Sequence, residues 1–557
     1  MWTRETRPNN MCINDPKGEL LKKNYVRMSK RGFQVVQFNL INNLKTDIYN
    51  PLGLAAEAAR EGNGMKCATY VENIAEVFFP VDGADDPVWP NAANNAFKRA
   101  AYGLIDFYLE EEREMRKQAA AENWDAKVLD TRIDQMWGKV TLYNCYQLFV
   151  QLSAKKLKNP VERLNERARA GEFGNLETDE NAAMMFQDAV TEAEENEMFL
   201  WEGEKEKDML TLFFSATDGL PKSSVRTLVG NADKALKAMG GAEKMMASVY
   251  GIAITAMSFF TDPTISTLTS GTLSQNVDLA GLSFPRRMGV RFAAPYVKRY
   301  NLVGSQVKWD AYSDAKFTKP LGKNFVHDDT LSVEGWARFY IKDSFPSNTA
   351  YLRLRILNGT SGTLIKTLYF KFTKGYQTNL KGRAFITDPV TDEKIIKNGL
   401  LIELVKNDAG DFVPGHVQFK TKKLNLDQLT QEQINMPGHD MIKQVDAMVD
   451  AVSALNVRYS EKPKAVFFVT PPHLMKYAKL ILILIKQLVD LNFDSSYMTR
   501  ENQKPDYKTR FMLDELGNLQ SEGHGIAGFE TMLSIGLGQE QQFSATSCVA
   551  KNYALAA

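Results

Sequence analysis

The chain has 557 residues, too long for one compact core, so two to four units of ~100–200 residues are expected. Its 68 basic and 67 acidic side chains leave a net charge of +1, which excludes nucleic-acid binding by bulk charge but leaves room for a local basic surface. Hydrophobic residues make up 44% and charged residues 24%, as in ordinary globular proteins. The four cysteines, Cys12, Cys67, Cys145 and Cys548, form no CxxC pair; this speaks against a disulfide framework or a zinc site and for a reduced, cytoplasmic chain. The start carries no apolar signal core. The most apolar run, Leu480 to Val489, falls short of the ~20 residues a bilayer needs and is broken by Lys486, so it predicts a buried helix on a sheet.

In chain order, the first fifty residues read as an α/β unit. Met11-Cys12-Ile13 is a short apolar strand that ends in Asn14-Asp15-Pro16-Lys17-Gly18. A helix follows from Glu19 to about Lys30, with Leu20, Leu21, Tyr25 and Met28 on one face. Phe33 to Leu40 alternates and is β-branched, a second strand, and Asn50-Pro51-Leu52 breaks the chain. From about 53 to 260 the pattern is helical, with candidates at 65–79, 91–121, 125–157, 180–200 and 229–259; Glu192 to Glu206 reads as a solvated acidic face or loop. From about 285 to 425 it turns to period two. Trp336–Ile341, Tyr351–Leu357, Thr367–Phe372, Gly399–Val405 and His416–Lys420 predict a small β-sandwich or barrel. A helix at about 427–455 leads out of it. The buried strand Lys464–Thr470, a helix over about 474–491 and the strand Thr509–Glu515 then restore the α/β pattern.

Two segments point to chemistry. Phe511-Met512-Leu513-Asp514-Glu515 is an apolar strand ending in two acids, the Walker B layout. There the first carboxylate helps hold magnesium and the second polarises the water that attacks the γ-phosphate. The bland alternative is a helix cap. Asp15-Pro16-Lys17-Gly18-Glu19-Leu20 follows a strand too; its plain reading is a turn in which Asp15 caps the helix and Pro16 sits in the first turn.

Taken together in order, these segments resemble the TraG/TraD-type coupling proteins of type IV secretion. Asp15–Leu20 resembles their DPKGEL segment, and Asn50-Pro51-Leu52 follows it as in that family. Asp86-Pro87-Val88-Trp89 resembles the element that opens their all-helical domain. Pro263 to Leu282 resembles the stretch that rejoins the motor, and Lys462–Phe468 their next core strand. Leu513-Asp514-Glu515-Leu516-Gly517-Asn518-Leu519 resembles their LDEFGNLP segment. The resemblance implies an α/β fold: an incomplete RecA-like P-loop NTPase core with an inserted all-helical domain and an inserted β-rich domain. It divides the chain into 1–52 (α/β), 53–262 (helical), 263–284 (return to the core), 285–425 (β-rich), 426–460 (helical linker), 461–543 (α/β with Walker B) and 544–557 (a non-native-looking tail). The β-rich insert departs from the simplest family members.

The resemblance also implies ATP and Mg2+ as cofactors, with Glu515 catalytic, Asp514 on magnesium through water, and Asp15 and Lys17 near the nucleotide. Its partners would be single-stranded DNA with its relaxase or relaxosome, the secretion-channel proteins, and other copies in a hexamer at the cytoplasmic face of the bacterial inner membrane. No GxxxxGK[ST] phosphate loop occurs in the 557 residues. The expectation is therefore a member cut at both ends, without the upstream phosphate loop and membrane anchor and without the sensor strand beyond Ser534–Gln539. Such a chain would not be an active ATPase alone. Its last residues, Asn552–Ala557, resemble a bacterial degradation tag or an out-of-frame tail. Two rivals remain open: a non-enzymatic substrate-docking module and a HerA/FtsK-type DNA motor fragment. On the β-rich insert, Lys371, Lys374, Tyr376, Lys381 and Arg383, beside Tyr369, are candidates for contact with single-stranded DNA.

Overall fold

The computed structural model describes residues 9–41, 46–80, 86–343 except 123, 125, 219, 239–242 and 273–274, then 345–373, 386–387, 394–395, 400–414, 451–459, 463–470, 478–494, 505, 507–513 and 541–545. The chain opens with β1 (Asn9–Asn14), α1 (Glu19–Lys30) and β2 (Gln34–Asn39). Helices follow: α2 (Gly53–Arg60), α3 (Gly64–Phe78), α4 (Val88–Ala121), α5 (Ala126–Trp137) and α6 (Leu142–Gln147). The single helix expected over 125–157 is broken between α5 and α6. The carbonyl of Gly271 crosses 2.9 Å from where a Cβ on Gly138 would stand, and Thr141 starts α6 afresh by accepting from the Asn144 N–H at 3.2 Å.

Two short antiparallel strands, β3 (Lys156–Lys158) and β4 (Glu206–Asp208), clasp α7 (Pro160–Arg169) and α8 (Glu180–Asn196). The acidic stretch from Glu192 is the exposed end of α8 and the turns after it. Then come α9 (Met209–Asp218), α10 (Ser224–Ala238), α11 (Glu243–Met257), α12 (Pro263–Thr269) and α13 (Ala280–Ser283).

The β-rich part holds β5 (Arg286–Phe292), α14 (Ala294–Tyr300), β6 (Gln306–Tyr312), β7 (Val326–Thr330), β8 (Trp336–Tyr340), β9 (Thr349–Leu357) and β10 (Leu364–Thr373). It continues with a short hairpin, β11 (Ile386–Thr387) and β12 (Lys394–Ile395), then β13 (Leu400–Lys406), β14 (Phe412–Pro414) and β15 (Val452–Tyr459). Last are β16 (Lys464–Val469), α15 (Ala478–Phe493), β17 (Lys508–Leu513) and β18 (Gln541–Ala545).

Five strands from the two ends of the chain form one sheet in the order β18-β17-β1-β16-β2, every neighbouring pair parallel. Both faces are covered, as a parallel sheet requires. Met11, Ile13, Phe467 and Val469 pack with Leu21 of α1 and Phe33 on one side. Cys12, Val36, Val466, Phe468, Phe511 and Leu513 face the other side, toward α15 and the helices. The run Leu480–Ile485 of α15 is buried all round, because sheet and helices enclose it from both sides. This is the buried helix its composition predicts.

The β-rich part is a sandwich. A six-stranded sheet, β14-β13-β10-β9-β6-β7, shares one core with a three-stranded sheet, β15-β5-β8, through Trp309, Phe339, Phe370 and Val290. β15 lies where the expected helical linker would end; it pairs antiparallel with β5, so the sandwich closes with residues beyond 425. The expected strand His416–Lys420 lies outside the described residues. No single helix among the described residues is long and apolar enough to cross a membrane.

A buried carboxylate ties the helices to the sandwich. Glu112 of α4 accepts from Arg60 at 2.8 Å, Arg116 at 2.6 Å and Trp137 Nε1 at 2.6 Å, with Arg291 of β5 at 3.8 Å. Arg291 and Arg113 both reach Glu334, at 3.5 and 2.7 Å, and Arg338 pairs with Glu61. Burial by itself would raise the Glu112 pKa, but Arg60, Arg116 and Arg291 pull it well below the usual carboxylate range. A depressed pKa stabilises the fold above the unfolded value of ~4.3, and that contribution fades as pH falls toward the folded value. Glu112→Gln should therefore cost about 3 kcal/mol or more near pH 7 in urea unfolding, with the gap to wild type narrowing below about pH 4.

Candidate functional site

Open parallel sheets bind ligands outside the carboxyl ends of their strands. At that edge β1 is central. Its last residue, Asn14, is level with Phe468 of β16 on one side and with Leu513 of β17 on the other. The residue after Asn14 is Asp15 and the residue after Leu513 is Asp514. The two segments that the sequence singles out therefore leave adjacent strands at the same level. Asp514 and Glu515 themselves lie outside the described residues.

The turn after β1 is held from within. The Asp15 N–H donates to the Phe468 carbonyl at 2.8 Å, and the Gly18 N–H donates to the Asp15 carbonyl at 3.0 Å. Gly18 sits in the left-handed region at φ +69°, with the Val469 side chain 3.2 Å from where a Cβ would stand, so a side chain is disfavoured twice over. As the residue before α1, glycine offers the first turn no capping oxygen. Asp15 supplies it from three residues upstream: the carboxylate, buried at 3% exposure, accepts the Leu21 N–H at 2.7 Å.

This geometry limits what the turn can bind. A phosphate cradle needs several free backbone N–H groups at a helix start. Here Pro16 has none, those of Asp15 and Gly18 are used internally, and a carboxylate already occupies the anion position of α1. The β1–α1 turn does not fit a phosphate group. Lys17, at the exposed tip of the turn, remains able to reach a charge beyond it.

The remaining candidates lie elsewhere. Lys371 is on β10 of the sandwich, in a different sheet from β1. Lys374, Tyr376, Lys381 and Arg383 lie outside the described residues. Among the described residues no cluster of His, Cys, Asp or Glu could hold a metal. Cys12, Cys67 and Cys145 are buried, and burial pushes each thiol up to about 12, so none is a reactive thiolate.

The structure adds contacts that the sequence did not show. Asn50 donates from Nδ2 to the Val140 carbonyl at 2.7 Å and accepts the Leu52 N–H at 3.0 Å, while its own N–H donates to Asn276 Oδ1 at 2.9 Å. Gln487 of α15 accepts from the Tyr49 hydroxyl at 2.8 Å and donates to the Pro51 carbonyl at 2.9 Å. At the opposite end of the sheet Lys464 is buried and donates to the Gly281 carbonyl at 2.7 Å; burial lowers its pKa to about 8, offset in part by Asp278. Asn10 bonds Leu282 beside it. A polar residue inside an apolar run is the signal that would have found Gln487.

The parallel sheet, with helices on both faces, defines an α/β protein. Residues 6–274 match the family model for type IV secretory system conjugative DNA transfer, which supports a coupling protein of the TraG/TraD type. The match runs from just before β1, through the helices, to the point where the chain returns to the sheet. No curated protein matches the chain.

If Asp15 is the cap of α1, Asp15→Ala should lower stability by about 1–2 kcal/mol, and Asp15→Asn, which keeps an acceptor, by less than half of that. Urea unfolding of both variants checks it; equal losses would contradict the capping role.

Proposed function

We propose that this chain serves conjugative transfer as a TraG/TraD-type coupling protein, recruiting relaxase-bound single-stranded DNA and passing it to a type IV secretion channel by ATP hydrolysis. One observation carries the reading. The register Asn14↔Leu513 sets the DPKGEL-like turn and the strand leading to Asp514-Glu515 side by side at the carboxyl edge of a parallel sheet. In this reading the sheet is a RecA-like core that works in a hexamer, and the helices dock the relaxosome.

Asp514 would hold magnesium through water and Glu515 would orient the attacking water. Bound magnesium–ATP would supply the phosphoryl transfer that drives DNA movement. Because the β1–α1 turn does not fit a phosphate, the cradle must come from another segment. That same misfit favours the second reading, a docking module without hydrolysis of its own.

A transfer assay separates the two. Under the motor reading, Asp514→Ala and Glu515→Gln each lower conjugation frequency by about 100-fold or more at unchanged protein level. Wild-type transfer by both variants, with relaxase capture intact, would remove the motor reading and leave docking.

A further inference from the structure

The outer face of the six-stranded sheet is not an ordinary solvated surface. Side chains alternate across a strand, so Lys308, Asp310 and Tyr312 of β6 share this face with Tyr351, Arg353 and Arg355 of β9. Cross-strand register adds Tyr369, opposite Arg353, and Lys371, opposite Tyr351. Phe412 of β14 joins them, with its ring 4.5 Å from that of Tyr369.

A loop lies over these rings. Phe317 packs edge-on against Tyr312, Tyr351, Tyr369 and Phe412 at centroid distances of 5.4, 6.1, 4.9 and 4.7 Å. It does so at φ +56°, a left-handed conformation that costs a bulky residue on the order of 1–3 kcal/mol. Asp314 holds the loop by accepting the backbone N–H groups of Thr318 and Lys319 at 3.1 and 2.7 Å. Despite this packing, Phe317, Tyr351, Tyr369 and Phe412 all remain half-buried rather than enclosed.

Basic side chains outnumber acidic ones around the rings, with Asp328 of β7 opposite Lys308 in register and bonded to Gln306. Asp310 is shared between Arg353 and Arg355, and Asp314 is committed to its own loop. Lys308, Lys316, Lys319 and Lys371 have no carboxylate partner among the described residues, and the Lys406 ammonium stands 5.2 Å from the Phe412 ring. The acidic turn at Asp408 and Asp411 bounds the face at one edge. Four strands at ~4.8 Å spacing give the face a width of about 15 Å, room for two or three stacked nucleotides.

We propose that this face binds single-stranded nucleic acid, its phosphates on the unpaired lysines and its bases on the tyrosine and phenylalanine rings. Cationic side chains that track a backbone, set among rings that accept any base, make a sequence-tolerant surface. An acidic peptide would satisfy the lysines but leave the rings unused. The inference rests on the sandwich alone and is read without ATP, so its failure leaves the family assignment and the motor reading untouched.

The test is fluorescence anisotropy of the full chain with a labelled 15-mer of oligothymidylate across a salt series. The triple variant Lys308→Glu, Lys371→Glu, Lys406→Glu should bind at least ~30-fold more weakly at low salt. The neutral set with Gln at the same positions should reduce the salt slope by about 2, near 0.7 for each phosphate no longer neutralised. Tyr369→Leu, which keeps apolar bulk but removes the ring, should weaken binding by about 5-fold or more. A control triple on other exposed lysines, Lys22→Glu, Lys30→Glu, Lys139→Glu, should bind as wild type does, and all variants should melt with the wild-type transition. The proposal is overturned if wild type does not bind the oligomer or the face variants match wild type. It is equally overturned if the control weakens binding as strongly, or if polyglutamate displaces the oligomer fully at equal charge.

Discussion

The structure depends on a single seam, where the chain leaves the parallel sheet at Ile48–Gly53 and returns to it at Leu268–Ala280. The Tyr49 N–H donates to the Leu268 carbonyl at 2.9 Å, the Val277 N–H to the Ile48 carbonyl at 2.9 Å, and Ile48 and Asn276 form a parallel bridge. Asn50 and Asn276 close the seam from the side. A Cβ on Gly53 would overlap the Asn276 amide, and one on Gly271 would press within 3 Å of Ile48, so no side chain fits at either position without a shift. Buried amides that reach backbone on both strands cost little while paired and on the order of 1–3 kcal/mol each when orphaned. The seam thereby makes the helices continuous with the sheet, and α15, buried between them, belongs to both.

This explains what the sequence motifs are for. Asn50-Pro51-Leu52 is a pin: the Asn side chain holds Val140, and the Pro carbonyl receives Gln487. Asp15 in the DPKGEL-like turn is a cap, and Gly18 allows the left-handed turn that lets the cap reach Leu21. Residues that carry a family resemblance so clearly are thus partly architectural here, and a motif match alone does not separate holding a fold from holding a ligand.

How much could be read in advance follows from where the energy lies. β1, α1, β2, β16, α15 and β17 were legible because local apolar pattern and burial agree in them; α1 spans the very residues its periodicity marks. The break at Gly138 was not legible, since it answers to Gly271 far along the chain. The same holds for β15, which is a strand because β5 offers it an edge. The Glu112 cluster was hidden for a like reason: Arg60, Arg116, Trp137 and Arg291 converge only in the fold. At the candidate site, the sequence marked the right two segments but not their adjacency, which is a property of strand order.

The β1–α1 turn is built as a capped helix start and not as a phosphate cradle. Equilibrium titration of the purified chain with a fluorescent ATP analogue and magnesium distinguishes the two. No saturable binding is expected, with Lys17→Ala indistinguishable from wild type. Saturable, magnesium-dependent binding that disappears in Lys17→Ala would contradict the claim.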